Sequence, residues 1–313
     1  MMQNMRNYMA GAGVAFLFGI SFLVVKQALN VFSQPAMLAC RFTLSAAVLW
    51  ILAGIGILSV HLKGKPWKRV VLLSLFYPVL SFALEAKGVS LVTSSQAGII
   101  MSLSPVFAVI LGTIFLKERS TLLQAFMVLL SVIGVVLITV SAAEAEMGGS
   151  VKGVLTMLCC ACLVAVQTVT VHHLSDEFSS IEITCIMNVT AAVCFDAYAV
   201  FSLRERIWDE LFVPFGSSEG LLPIVYLGLG CSVGAFFCLN YINSHLDVVR
   251  AAVFINLSTI VSVLAGVLIG GDRLNAGQTA GILMILIGVW GVNAFQPSGQ
   301  KTLICHRNDR GDQ

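Results

Sequence analysis

The sequence predicts an all-α membrane protein of ten transmembrane helices, arranged as an inverted repeat of two five-helix units. Three observations carry that expectation. Hydrophobic residues make up 58% of the chain and charged residues 11%, against about 25% charged in a typical soluble domain. The apolar residues fall in blocks of about 20, the length that crosses ~30 Å of hydrocarbon at about 1.5 Å per residue. The second half repeats the first, and a repeat with an odd number of spans must enter the membrane from the opposite side.

The spans follow in order. "YMAGAGVAFLFGISFLVVKQAL" gives 8–29, and with no A-x-A-like site after it the block reads as helix one rather than a signal peptide. After the short link 30–34 comes 35–59, and after the basic loop "HLKGKPWKR" comes 70–90. The links at 91–92 and 117–120 permit only tight turns, so 93–116 and 121–141 are antiparallel neighbours of what precedes them. The second copy supplies 151–172, 181–203, 221–243, 248–270 and 276–295.

Lysine and arginine set the orientation, because cytoplasmic loops are enriched in them. Lys63, Lys65, Lys68 and Arg69 share one side with Arg6, Lys117, Arg119, Lys301, Arg307 and Arg310. The other side has Lys152, Arg204, Arg206 and Arg273 among Glu144, Glu146, Glu205, Asp209 and Glu210. Both termini are therefore expected in the cytoplasm, with the chain integral to the cell membrane. A net charge of +2 with scattered cations argues against nucleic acid as a partner. Most of the nine cysteines lie inside apolar blocks, where a thiol behaves as a small hydrophobe. "CCAC" at 159–162 has no His or carboxylate at ligand spacing, so neither metal nor cofactor is expected.

The repeat shows at an offset of 154, which lays 94–140 over 248–294 with eleven identities in 47 positions. Among them are Ala97 on Ala251, Ser104 on Ser258, Gly112 on Gly266, Arg119 on Arg273 and Gly134 on Gly288, with Glu118 on Asp272. The same offset places Phe82 on Phe236, and an offset of 140 places Gln27 on Gln167. Two units follow, 1–145 and 146–298, with a cytoplasmic tail at 299–313.

"FGISFLVVKQAL", "RFTLSAAVLW" and "SLVTSSQAGIIMSLSPVFAVILGTIFLKERSTLLQAFMVLLSVIGVVLI", with the second copy ending "GGDRLNAGQTAGILMILIGVWGV", resemble the EamA branch of the drug/metabolite transporter superfamily. The resemblance covers nearly the whole chain, and its most specific part runs from Pro105 to "KER" with the glycine downstream. It implies a bacterial protein, ten helices in an inverted five-plus-five repeat, and export of small metabolites, amino acids or drugs. The second copy departs from the first with Thr259 where the proline would fall and Asp272 where the glutamate would fall.

Ionisable residues within the spans are candidates for transport because each costs at least ~2.5 kcal/mol to insert. Lys26 and Arg41 lie in the outer part of spans one and two. Each either snorkels to the headgroups or attracts a substrate carboxylate. Glu85, near the outer end of span three, either pairs with Lys26 or Arg41 or serves in proton or substrate binding. Asp196 in span seven is a weaker case of the same kind.

Uncharged polar residues on spans one, four, six, eight and nine can line a central site: Ser21, Gln96, Ser102, Gln167, Asn240 and Asn256. Interhelical hydrogen bonding is the plain alternative for each. Pro105 is a hinge candidate. Glu118 with Arg119 in the "LKERS" turn, and Asp272 with Arg273 in its counterpart, are gate candidates.

An inverted repeat with midplane polar residues and no sizeable soluble domain points to a secondary transporter working by alternating access. The chain has no G-x-x-x-x-G-K-[ST], so a gradient rather than a P-loop would drive it, with protons a candidate coupling ion. Its partners would be a small-molecule substrate and the lipid bilayer. Export of amino acids or related metabolites comes first, with multidrug efflux and uptake as alternatives and a membrane scaffold or signalling role as the non-transport one. H-E-x-x-H is absent, His172 and His173 sit at a cytoplasmic helix end and His245 in a short cytoplasmic turn, so no intramembrane enzyme is expected.

Overall fold

A computed structural model describes residues 2–104, 106–107, 110–111, 122–144, 150–245, 248–272 and 274–294. The expectations for Pro105, Glu118, Arg119, Arg273, the "LKERS" turn and the 299–313 tail lie outside the described residues, as does the side chain of Asn256.

Among the described residues the regular structure is entirely helical. In chain order the principal helices are α1 Met2–Ala28, α2 Gln34–Gly54, α3 Lys68–Ser74, α4 Ser81–Val89, α5 Ser94–Met101 and α6 Leu122–Glu144. They continue as α7 Val151–Leu174, α8 Ser180–Leu203, α9 Ser218–Val225, α10 Phe236–His245, α11 Val248–Leu268 and α12 Ala276–Ala294. Among the described residues, six continuous stretches are long and apolar enough to cross a bilayer: Arg6–Ala28, Gln34–Gly54, Lys68–Val89, Val151–Thr168, Ser180–Phe212 and Ser218–Asn243. Ala125–Leu137, Leu257–Leu268 and Ala276–Gly291 are shorter apolar helices.

Helix starts follow local chemistry. Thr93 and Ser179 each accept from the backbone N–H three residues on, while Gln96 and Glu182 reach back to the cap residue's own N–H. These two capping boxes satisfy N–H groups that a helix start leaves open. α2 begins after Ser33 with a proline in its first turn, where the missing N–H costs nothing.

Two spans are not plain α-helix. Between α3 and α4, Leu75–Leu80 contains extended backbone at Tyr77 (φ −141°, ψ 116°) ahead of Pro78. Between α9 and α10, Tyr226–Ala235 is wound as a wider π-type helix. Such irregular backbone is tolerated at membrane depth only where protein or a cavity covers it, and Tyr77, Pro78, Leu227, Gly228 and Ser232 are all buried.

Packing is tightest where glycine permits it. A Cβ on Gly134 of α6 would stand 2.7 Å from the Gly281 carbonyl oxygen of α12, and one on Gly288 would stand 2.6 Å from the Met127 carbonyl oxygen. The outside of the bundle keeps large apolar side chains such as Trp50, Leu122, Phe201 and Leu268 exposed, as a lipid-facing surface requires.

A buried arginine, an aromatic cluster and a polar chain between helices

α2 carries Arg41 and Phe42 side by side, two turns from its start, and both are fully covered. Of the two alternatives for Arg41, snorkelling to the headgroups is overturned, since its exposure is 1%. Burial follows from the wide helix opposite: Nε donates to Ser232 Oγ at 2.8 Å, and Gly228 lets the two backbones approach, with the Arg41 carbonyl 3.1 Å from where a Cβ would be. The guanidinium carbon lies 4.4 Å from the Phe82 ring centroid and 5.3 Å from that of Phe42. Nη1 and Nη2 are buried without a hydrogen-bond partner.

Around it, Phe42, Tyr77, Phe82, Phe195 and Phe236 form one aromatic cluster with centroid separations of 5.2 to 6.3 Å. Both halves of the chain contribute, with Phe82 and Phe236 in direct contact at 5.5 Å. Glu85 is 7% exposed and sits one turn beyond Phe82 on α4. A desolvated cation over an aromatic face gains about 2 kcal/mol, whereas a buried ion costs several before pairing. The rings alone do not settle the arginine.

From Ser232 a chain of buried polar groups runs across four spans. Asn188 Nδ2 donates to the Ser232 carbonyl at 3.0 Å and to the Thr184 carbonyl at 2.9 Å, and its Oδ1 accepts from Ser45 Oγ at 2.7 Å. Asn240 Nδ2 donates to Thr184 Oγ1 at 2.9 Å, and Gln167 Nε2 donates to Asn240 Oδ1 at 3.3 Å. Polar atoms thus connect α7, α10, α8, α2 and the wide helix without an ion in the series.

The expected site residues divide accordingly. Gln167 and Asn240 meet directly. Ser21 and Ser102 instead bond their own helices, to the carbonyls of Phe18 and Ile99. Gln96 caps α5, and its Nε2 is buried without a partner. Lys26 Nζ donates to the Val92 carbonyl at 3.1 Å, so its hydrogen bond goes to backbone rather than to Glu85. Asp196 accepts from Thr43 Oγ1 at 2.7 Å.

Asp272 is a junction. Its Oδ2 accepts from Ser94 Oγ (3.0 Å), Ser95 N (2.9 Å) and Ser95 Oγ (2.8 Å), joining the end of α11 to the start of α5. Ser262 Oγ and Thr259 Oγ1 extend this seam by donating to the carbonyls of Ser94 and Gly98. At the opposite end, Lys65 Nζ pairs with Glu182 at 2.6 Å, and Arg69 with Glu177 at 3.0 Å.

Thr184, Asn188, Ser45 and Ser232 were missed in sequence. Their signal was present, since each is a polar residue within an apolar block. Nothing in the sequence shows which face of span seven meets its neighbours, and one face of α8 is buried.

Known proteins resemble this chain along most of its length. The model of the EamA-like transporter family matches residues 5–140 and again 151–294. The uncharacterized transporter YcxC of Bacillus subtilis (strain 168) is 33% identical over 289 residues, covering 91% of this chain and 92% of that protein. An uncharacterized transporter of Archaeoglobus fulgidus is 24% identical over 286 residues, covering 91% and 98%. A solved crystal structure at 19% identity covers 97% of this chain and 98% of its own with a TM-score of 0.64, a likeness of fold alone.

Proposed function

Because this chain belongs to the EamA-like transporter family, it is a membrane transporter and not an enzyme, and we propose that it exports small metabolites such as amino acids or related compounds. Transport is secondary and proceeds by alternating access around a midplane site between inverted units 1–145 and 146–298, with protons the proposed coupling ion. Both termini face the cytoplasm of a bacterial cell, placed there by the Lys63–Arg69 cluster.

The observation that carries this reading is the buried polar chain from Gln167 to Arg41, bordered by Glu85 and by rings from both halves. Polar and ionic groups at this depth are expensive and mark substrate or ion pathways.

Two features support the repeat. The irregular stretch Leu75–Leu80, moved by 154, falls within Tyr226–Ala235. Helix pairings also recur in exchanged form: α1 packs on α11 as α5 packs on α7, and α4 on α7 as α1 on α10. Discontinuous helices in matching positions of two halves are where such transporters build their sites.

In this scheme Gln167 and Asn240 line the route, and Asp272 with Ser94 and Ser95 holds the outer end closed. Glu118 and Arg119 act in the matching place at the inner end.

The test is the metabolite profile of the medium from cells overproducing the protein, beside cells making an Arg41→Gln variant at equal membrane levels. A compound enriched by the intact protein and not by the variant is expected. No enriched compound would count against export.

A further inference from the structure

At the end of the bundle where α2 stops and α8 begins, a half-open crevice of about 520 Å³ lies between α2, α8 and span eight. Leu49, Leu52, Leu58, Ile181 and Phe237 give it hydrocarbon walls. The hydroxyl among its lining residues, that of Thr184, is already committed: it donates to the Ser180 carbonyl at 2.7 Å and accepts from Asn240 Nδ2 at 2.9 Å. The crevice therefore suits a hydrocarbon chain rather than a polar metabolite, whose own polar groups would be buried without partners. Its mouth meets the lipid-facing surface. Leu222, Val225 and Leu229 are exposed along one side of span eight, and Phe237, 37% exposed, continues that side to the crevice.

The loop after α2 is tied down over the rim. His61 N donates to Glu182 Oε1 at 3.0 Å, Lys65 Nζ pairs with Glu182 Oε2 at 2.6 Å, and Glu182 directly follows the lining residue Ile181. Lys63 lies between these two anchor points and is exposed. Lys65 and Arg69 spend their charge on Glu182 and Glu177, whereas Lys63 and Lys68 stand in neither pair. Trp67, 45% exposed, marks headgroup depth, where indole rings concentrate. An apolar slot between spans, below lysines at the headgroup level, has the two-part chemistry of an anionic phospholipid.

We propose that this crevice holds one acyl chain of an anionic phospholipid, with the lipid phosphate on Lys63. The assignment does not depend on what the protein transports. Because α2, α8 and the wide helix all border the slot, the bound chain braces the helix that carries Ser232.

The test is native mass spectrometry of the purified full-length protein, delipidated in detergent and then offered dioleoyl phosphatidylglycerol or dioleoyl phosphatidylcholine. The two lipids share their chains and differ in net charge. One phosphatidylglycerol retained per protein is expected, at a concentration at least roughly tenfold below that needed for phosphatidylcholine. Leu52→Trp fills the slot and should remove that bound lipid. Lys63→Gln should erase the preference for phosphatidylglycerol while lipid of either kind still binds. Equal retention of the two lipids by the unmutated protein would overturn the proposal, whether or not a variant folds. An undiminished preference in Lys63→Gln, or undiminished binding in Leu52→Trp, would also overturn it, by placing the lipid elsewhere on the surface.

Discussion

The Arg41 guanidinium carbon stands 4.4 Å from the centre of the Phe82 ring, so the one fully buried arginine of α2 rests on an aromatic face of span three. This contact fixes a charge inside the bundle at a point where both halves of the chain meet, and the first prediction follows from it. Phe82→Leu keeps apolar volume but removes the π face. A loss of about 1–2 kcal/mol is expected, read as a lower midpoint in thermal denaturation of the detergent-solubilised protein. An unchanged midpoint would show that the ring contributes volume alone.

Arg41→Lys keeps the charge and loses the fork. Lysine cannot hold Ser232 through Nε while offering two parallel donors. Transport should fall at least roughly tenfold, with the variant still reaching the membrane at normal levels. Wild-type flux in this variant would mean that only the charge matters.

Asp272 and Ser95 give a prediction at the far end of the bundle. Three donors converge on one carboxylate oxygen, and hydrogen bonds to charged groups contribute about 1.5–3 kcal/mol each. Asp272→Asn should loosen the start of α5, seen as faster hydrogen exchange at the peptide carrying Ser94 and Ser95. Unchanged exchange would remove Asp272 as the latch of that end.

Gly134 tests the packing of α6 on α12. With the Gly281 carbonyl oxygen 2.7 Å from any added Cβ, Gly134→Ala must push the helices apart, at a cost of about 1–3 kcal/mol. Thermal stability should drop while the order of preference among transported compounds stays the same. A change in that order would place this pair in the substrate path.

Much of the fold was legible in sequence because bilayer thickness dictates span length. The expected spans 35–59, 151–172, 181–203 and 276–295 coincide within a few residues with Gln34–Gly54, Val151–Leu174, Ser180–Leu203 and Ala276–Ala294. The site was legible only in part. Gln167 and Asn240 stood out because amides are rare in hydrocarbon, but depth along a helix says nothing about which face meets a neighbour. Arg41 was therefore left open between the headgroups and a substrate role, whereas Ser232 and the rings of Phe82 and Phe42 hold it inside. Ser21 and Ser102 were chosen for depth as well, and both spend their hydroxyls on their own helices. Hydroxyl back-bonding of that sort leaves no mark on the sequence pattern.

Transport itself is tested most directly in proteoliposomes loaded with a small-molecule cell extract, with release followed by mass spectrometry. Vesicles carrying the intact protein should release a small set of metabolites that protein-free vesicles and vesicles with Arg41→Gln retain. Equal retention in all three would contradict a transporter whose path runs through Arg41.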